Sequence, residues 1–304
     1  MRATVAFACA ACLAVPAIAA GAEGPAVVTV VESSAALLRS TGRFALTEGV
    51  RLQSGDMIEV GDKGVLQLGF ADGTKLSLGP RSRFYLAVLA APAAERGSKA
   101  AAISDFYMLH GWTKFELTRK ATPFRITTPL FGLAAADATA VLQVQDAEAG
   151  VFAERGELRL AEGFTRATAA SPLAVRAGQH YVRKADGKGV IQPRPAAAFV
   201  DAMPRQYLDS LPERMARFND REVVPQRLGD MVYADVEPWL KGPPEVRRPL
   251  MQRLRSRARD PAFREALIKN LSFHPEWDRI LFPEKYRSKP PSSAATPPAA
   301  TPGR

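Results

Sequence analysis

Hydrophobic and polar positions alternate with a period of two over much of the first two thirds of the chain. Leu66, Leu68 and Phe70 alternate with less apolar residues, as expected of a β-strand that has one buried face. Asp72-Gly73 follows directly. Such a pair between alternating runs predicts a hairpin, because its tight turn needs a positive φ.

Runs of this kind recur between residues 26 and 190, where turns containing Gly and Asp separate them. Many short strands, each with its own turn, predict a mainly β N-terminal domain that closes by packing sheet on sheet. It is an antiparallel β-sandwich, a roll or a solenoid-like fold. Residues 87–102 fit this pattern badly, because they are rich in Ala and contain Pro92. We expect an exposed loop or a short helix there.

The hydrophobic period becomes helical in the last third of the chain. Phe263, Leu267 and Leu271 recur at intervals of four, so they share one face of a helix. Residues 195–287 are therefore predicted to form a small all-α bundle, which makes the chain α+β overall. Residues 288–304 are rich in Pro, Ala and Ser, and we expect a disordered tail.

The first residues predict export from the cytoplasm. Arg2 precedes an apolar stretch over residues 5–19, and small residues follow it. This is the arrangement of a cleaved secretory signal peptide, which we assign to residues 1–22. Both cysteines, Cys9 and Cys12, lie within it, so the mature chain is expected to have no disulfide and no thiolate metal site. The expected location is the periplasm.

The charge of the chain narrows the choice of partners. Its formal net charge is +10, which favours anionic partners such as nucleic acids, surface polymers or lipid headgroups. Because an exported protein does not meet nucleic acid in the cytoplasm, we expect an envelope protein or an anionic surface polymer instead. No later stretch holds about 18 consecutive apolar residues, so no transmembrane segment is expected. Nothing in the pattern indicates an oligomeric state.

Several short motifs of the β-rich part resemble the FecR domain in their order and spacing. They are Gln53-Ser54-Gly55-Asp56, the turn Asp62-Lys63-Gly64, Ala71-Asp72-Gly73-Thr74, Gly111-Trp112, Ile126-Thr127-Thr128-Pro129 and Ala177-Gly178-Gln179. The resemblance covers residues 35–185, which is half of the chain.

The resemblance implies a β-rich fold and a role in contacts within the bacterial envelope. The founding members of the family span the membrane, control a sigma factor from the cytoplasm and receive a signal from an outer-membrane transporter. This chain is expected to be a soluble variant without the cytoplasmic and transmembrane segments, so direct control of a sigma factor does not carry over. It also departs from the family at residues 134–139, where many members have a Gly-Thr pair.

The sequence contains no recognisable set of catalytic residues, so we expect no enzymatic activity, no cofactor and no metal. The three histidines are far apart and lack the spacing of a helical zinc site. One alternative is a carbohydrate- or peptidoglycan-acting enzyme, with Trp112, Phe115 and Phe124 stacked on sugar rings and Glu116 or Asp105 as the acid. It requires solvent-facing rings, whereas the period of two places them in the core.

Acidic residues at the predicted turns allow two interpretations. Asp56, Asp62 and Asp72 lie at turns between neighbouring strands, where carboxylate oxygens can hold Ca²⁺. Asp is also favoured in turns because its side chain accepts hydrogen bonds from the nearby backbone. We favour the structural interpretation. The residues assigned to these turns are Gly55, Asp56, Asp72, Gly73 and Thr74.

An arginine-rich segment is the candidate contact surface. Val246, Leu250 and Leu254 recur at helical spacing, so they predict a buried stripe with arginines around it. Guanidinium groups bind carboxylate and phosphate through paired hydrogen bonds, which indicates an acidic partner. The alternative is a solvated helix face. The arginines concerned are Arg247, Arg248, Arg253, Arg255 and Arg257.

These observations predict a periplasmic, non-catalytic binding or scaffold module. It contacts an envelope protein or a surface polymer. A soluble sensor for an outer-membrane system is a further alternative, which differs from the first only in its ligand.

Overall fold

The computed structural model describes residues 26–89, 103–119, 121–162 and 172–286. The predicted signal peptide, the predicted tail and most of the predicted loop at 87–102 lie outside these residues.

Seventeen strands and five α-helices lie in this part of the chain. The strands are β1 (Ala26–Glu32), β2 (Ala35–Arg39), β3 (Gly42–Ala45), β4 (Arg51–Leu52), β5 (Met57–Val60), β6 (Val65–Phe70), β7 (Lys75–Leu78), β8 (Arg83–Val88), β9 (Ser104–Glu116), β10 (Phe124–Thr127), β11 (Phe131–Ala135), β12 (Ala138–Val144), β13 (Glu148–Glu162), β14 (Leu173–Arg176), β15 (His180–Lys184), β16 (Val190–Gln192) and β17 (Gln226–Asp230). The helices are α1 (Ala197–Ala202), α2 (Tyr233–Leu240), α3 (Pro244–Leu254), α4 (Pro261–Lys269) and α5 (Asp278–Leu281).

The strands form one continuously hydrogen-bonded sheet that folds into two layers. The order in the first layer is β4-β1-β6-β7-β9-β12-β13-β15-β16. The order in the second layer is β17-β3-β2-β5-β8-β9-β10-β11-β13-β14. The long strands β9 and β13 belong to both layers, because each passes from one to the other. These strand pairs are antiparallel, except that β9 and β10 are parallel.

The two layers enclose one apolar core. Leu68 and Leu78 of the first layer are fully buried, as are Leu37 and Phe84 of the second, and all four belong to one packed cluster. Burial of one face of each sheet against the other is what stabilises a sandwich. The predicted β-rich part, followed by a smaller helical part, is therefore confirmed.

After α1 the chain crosses the outer face of the first layer. Phe199, Met203 and Tyr207 pack against Trp112 and Val141, which point outward from that layer. The chain then adds β17 to the edge of the second layer, antiparallel to β3. This strand departs from the all-α prediction for residues 195–287. Its partner β3 lies far away in sequence, so local periodicity could not predict it.

The later helices pack on the outer face of the second layer. Leu38, Met57, Tyr85 and Tyr107 form a row across β2, β5, β8 and β9, because the strand register places them side by side. This row joins an apolar cluster with the helices. Its central contact is between the rings of Tyr85 and Trp239, whose centroids are 6.3 Å apart. The helical part and the sandwich therefore share a core.

Candidate contact surface

The predicted arginine-rich segment runs from α3 into the 3-10 turn Arg255–Arg259. Val246, Leu250 and Leu254 are buried on the side that faces the sheet and the other helices. This is the apolar stripe that the sequence predicts. The arginines occupy the remaining positions, and the structure divides them into an inward-facing and an outward-facing group.

Arg253 lies in the joint between α3 and the second layer. Its guanidinium donates hydrogen bonds to three backbone carbonyls of the β-rich part: Ser40 at 2.9 Å, Leu38 at 3.1 Å and Gly55. Burial lowers the pKa of Arg253, because the charged group loses hydration there. The donors of Arg253 therefore hold the helical part on the sandwich.

Arg247 and Arg257 also make contacts within the chain. Arg247 binds both carboxylate oxygens of Glu276 at 2.9–3.1 Å. Burial by itself would raise the pKa of Glu276. The hydrogen bonds from Arg247 and the backbone, together with the charges of Arg247 and Arg248, outweigh it, so the pKa lies below its usual value. Arg257 donates to the Met231 carbonyl and to Asp230, in each case at 3.1 Å. These arginines join the helices to each other and to β17.

Arg248, Arg255 and Arg259 point away from the protein and form what we call the arginine row. Arg248 belongs to α3, the other two belong to the 3-10 turn that follows it, and all three are exposed. The Arg248 side chain is 67% exposed, and its Nε lies 3.8 Å from Glu276. Within the described residues, Arg255 and Arg259 have neither an ion pair nor a hydrogen bond from the side chain. Arg259 is not among the arginines predicted from the sequence, although its place in the same arginine-rich run could have identified it.

Asp56 lies at the centre of a buried network before β5. Arg39 binds both of its carboxylate oxygens, at 2.8 and 2.6 Å, and the Gln53 backbone N–H donates to it at 2.8 Å. Gly55 takes a φ of +91°, which a residue with a side chain rarely adopts. The turn therefore presents the Gly55 carbonyl to Arg253, so this motif belongs to the joint.

Asp72 organises the hairpin that joins β6 and β7, where the sequence predicted it. Its side chain accepts hydrogen bonds from the backbone N–H of Thr74 at 3.0 Å and of Thr122 at 2.8 Å. Gly73 has a φ of +82°. Asp62 is exposed in a separate turn. The described residues contain no group of three side chains suited to a metal ion.

The aromatic residues of the sugar-stacking alternative lie inside the protein. Trp112 is 8% exposed, Phe115 is 0% exposed and Phe124 is 2% exposed. Trp112 is covered by Phe199, and their ring centroids are 5.1 Å apart. A sugar cannot stack on rings that are already covered, so the structure contradicts this alternative.

The acids proposed for that alternative are engaged as well. Glu116 pairs with Lys75 at 2.8 Å, and Asp105 pairs with Arg125 at 2.6 Å. In addition, none of the helices in the described ranges has the length and apolarity needed to cross a membrane.

Comparison with known proteins gives a family match. Residues 56–159 match the family described as "FecR protein". Two crystal structures of a "putative anti-sigma factor" from Parabacteroides distasonis, at 1.65 and 2.50 Å resolution, are similar at 17% and 15% identity, each with a TM-score of 0.37. Both alignments cover 47% of this chain and 62% of the other, so the chain spans less than two thirds of the structures that it matches.

No curated protein matches the chain. The family match begins at Asp56, in the turn that contacts Arg253, and it ends at Arg159 in β13. It includes the Asp72 hairpin and the strand β9 that connects the two layers. Residues 56–159, about a third of the chain, therefore match the FecR family.

Proposed function

We propose that this chain is a non-catalytic binding module of the bacterial envelope that contacts an acidic protein through the arginine row. The observation that carries the proposal is the exposure of Arg248, Arg255 and Arg259 on α3 and the 3-10 turn that follows it. The last two have no ion pair within the described residues. Guanidinium groups with unused donors are suited to carboxylates on a partner.

The attachment of α3 supports this role. Arg253 fixes α3 to three backbone carbonyls of the sandwich, and the buried Trp239 packs beside it. A surface held rigidly loses little conformational freedom when a partner binds, which leaves more of the interaction energy for affinity.

The envelope location is supported by the pattern of residues 1–22 and by the FecR family match of residues 56–159. An envelope partner is consistent with a net charge of +10, because acidic groups are the complement of such a surface. Direct control of a sigma factor is not part of the proposal.

A pull-down from the envelope fraction tests the proposal, with the tagged mature chain as bait at low and at moderate salt. The test variant is the triple substitution Arg248→Gln, Arg255→Gln and Arg259→Gln. We expect the wild-type chain to recover one or a few proteins at both salt concentrations, and the variant to lose them.

The matched control replaces three other exposed arginines, Arg205, Arg217 and Arg221, and so removes the same charge. If the control loses the partner equally, net charge alone explains binding and the arginine row is not the site. If only lipid or polymer is recovered, and moderate salt releases it, the partner is an anionic surface and the acidic-protein proposal fails.

A further inference from the structure

The helices cover only part of the outer face of the second layer. A second row of side chains lies beside the row that the helices cover. It consists of Ala45, Ala36, Glu59, Arg83 and His110 on five successive strands. The register pairs each of these residues with the next one across the sheet. A bulge between β8 and β9 brings His110 into this row. The row forms the floor of an open cleft of about 500 Å³.

The side chains of the row explain why there is a cleft here. The row that the helices cover has Leu38 and Met57 on β2 and β5, whereas the second row has Ala36 and Glu59 on the same strands. The small alanine side chains leave space above the sheet, which forms the cleft. Arg43 lies on the rim of the cleft. It pairs with Asp235 of α2, so it marks the boundary between the cleft and the helices.

One end of the cleft carries the basic side chains of Arg81 and Arg83, and Asp62 also lines the cleft. Arg81, Arg83 and His110 meet there, because His110 lies opposite Arg83 in the register and its Nδ1 lies 3.2 Å from the Arg81 carbonyl. The Arg83 Nε lies 3.5 Å from Glu59, longer than an ordinary charge-assisted hydrogen bond. Arg81 is exposed, and its side chain has no ion pair within the described residues.

The opposite end of the cleft is apolar. Ala36 and Ala45 form its floor, and Leu228 of the edge strand β17 stands beside them with 57% of its surface exposed. An exposed leucine next to small apolar side chains offers a surface that a compact hydrocarbon group can cover. The cleft is therefore polarised between an arginine end and an alanine and leucine end.

The backbone at the rim is held in a costly conformation. Arg81 has a φ of 55° and Ser33 a φ of 73°, in the left-handed region, which costs about 1–2 kcal/mol for a residue with a side chain. These are two of the three such non-glycine residues in the described ranges. Both rims converge on Gly61, which donates to the Ser34 carbonyl at 2.9 Å and accepts from the Arg81 N–H at 3.0 Å. Such conformations concentrate at functional sites.

We propose that this cleft binds a small monocarboxylate with a compact apolar body. The carboxylate lies between Arg81 and Arg83, and the apolar body lies over Ala36, Ala45 and Leu228. The volume falls within the range of small-ligand sites, about 300–1,000 Å³, and guanidinium groups are the usual partners of carboxylates. A free peptide C-terminus that ends in an apolar residue has this chemistry, and so does a short fatty acid. None of the residues that line this cleft belongs to the arginine row.

Glu59 has a defined part in the proposal. It is the competing acceptor for Arg83 within the cleft, and burial raises the pKa of its carboxyl above the usual value. Removing its charge frees Arg83 for the ligand. Glu59→Gln is therefore expected to strengthen carboxylate binding, whereas Arg81→Gln weakens it.

An NMR titration of the ¹⁵N-labelled chain tests the proposal. The probes are N-acetylleucine, as a mimic of a peptide C-terminus, and hexanoate, as a short fatty acid. N-acetylleucine amide lacks the charge and acetate lacks the apolar body. We expect at least one of the first two to shift backbone signals around Arg81 and His110, and both controls to bind at least about tenfold more weakly. The stronger of the two probes indicates the source of the carboxylate.

The two cleft variants are expected to change the affinity for the carboxylate in opposite directions. Loss of one charge-assisted hydrogen bond predicts about tenfold weaker binding for Arg81→Gln, while Glu59→Gln binds more tightly. Arg217→Gln, which removes an exposed arginine outside both proposed sites, is the matched control and leaves affinity unchanged. Equal binding of the amide or of acetate would overturn the proposal. So would shifts that map outside the cleft, or an Arg81→Gln affinity equal to that of Arg217→Gln.

Discussion

Replacement of Arg253 by Ala tests whether the helical part depends on one guanidinium for its attachment. The substitution removes three hydrogen bonds to the carbonyls of Leu38, Ser40 and Gly55. It also leaves these carbonyls without the donor at a part-buried joint. Arg255→Ala, two residues further on, is the control, because that side chain is exposed and has no such bonds.

The expected loss of stability follows from two opposing effects. A hydrogen bond to a charged group contributes about 1.5–3 kcal/mol, but burial of the guanidinium costs several kcal/mol and offsets much of the sum. Loss of the donor also leaves part-buried carbonyl acceptors unsatisfied, which costs about 1–3 kcal/mol each, so we expect a net loss of about 3 kcal/mol. For a chain of this size each kcal/mol corresponds to about 2–4 °C, so the melting temperature falls by about 6–12 °C.

Urea unfolding followed by tryptophan fluorescence measures the effect. Trp239 and Trp277 report on the helical part, and Trp112 reports on the face of the first layer. Arg255→Ala is expected to stay within about 0.5 kcal/mol of the wild type. Arg253→Lys keeps the charge but not the planar fork, so its stability falls between the two. If Arg253→Ala is no less stable than Arg255→Ala, apolar packing alone holds the joint and the reasoning is wrong.

Three further substitutions probe the other contacts. Lys114 is 2% exposed and donates a hydrogen bond to the Tyr207 carbonyl at 2.7 Å. Lys114→Met should therefore lower the free energy of unfolding by about 2 kcal/mol and speed proteolysis of the segment after α1. An unchanged rate of cleavage would contradict this. Gly111 has a φ of +103°, and a Cβ added to it would lie 2.5 Å from the backbone before β8. A Cβ added to Gly178 would meet no atom within 4 Å. Gly111→Ala should therefore destabilise the protein far more than Gly178→Ala. Equal melting temperatures would refute this. Burial lowers the pKa of His274 in the folded protein. As the pH falls, His274 is therefore protonated in the unfolded chain before it is protonated in the folded one, so stability falls below about pH 6.5. His274→Gln should reduce that loss between pH 7 and 5, and an unchanged pH profile would exclude this contribution.

The local chemistry of the chain was sufficient to predict much of the architecture. Alternation around Leu66 and Leu68 specifies a strand with one buried face, and Asp72-Gly73 specifies the turn after it, because both effects act over a few residues. The helical stripe of Val246, Leu250 and Leu254 was equally readable. The change from one period to the other separates the β-rich part from the helical part.

The separation of the arginines into inward and outward groups was not readable from the sequence. Arg253 and Arg255 are identical side chains two positions apart, yet one meets three carbonyls of the sandwich and the other meets solvent. The difference comes from what lies opposite each residue. Likewise, β17 is a strand because β3 offers it an unpaired edge.

The sequence by itself determined the two periodicities, the hairpin at Asp72 and the FecR motifs. Only the tertiary structure decided the contact surfaces. The cleft depends on the register that places Ala36, Glu59, Arg83 and His110 side by side, although they lie more than 20 residues apart in sequence. Periodicity indicates which face of a strand is buried, but it carries no information about which distant strand lies next to it. That choice is made by long-range packing, so a site assembled across strands becomes visible only in the folded chain.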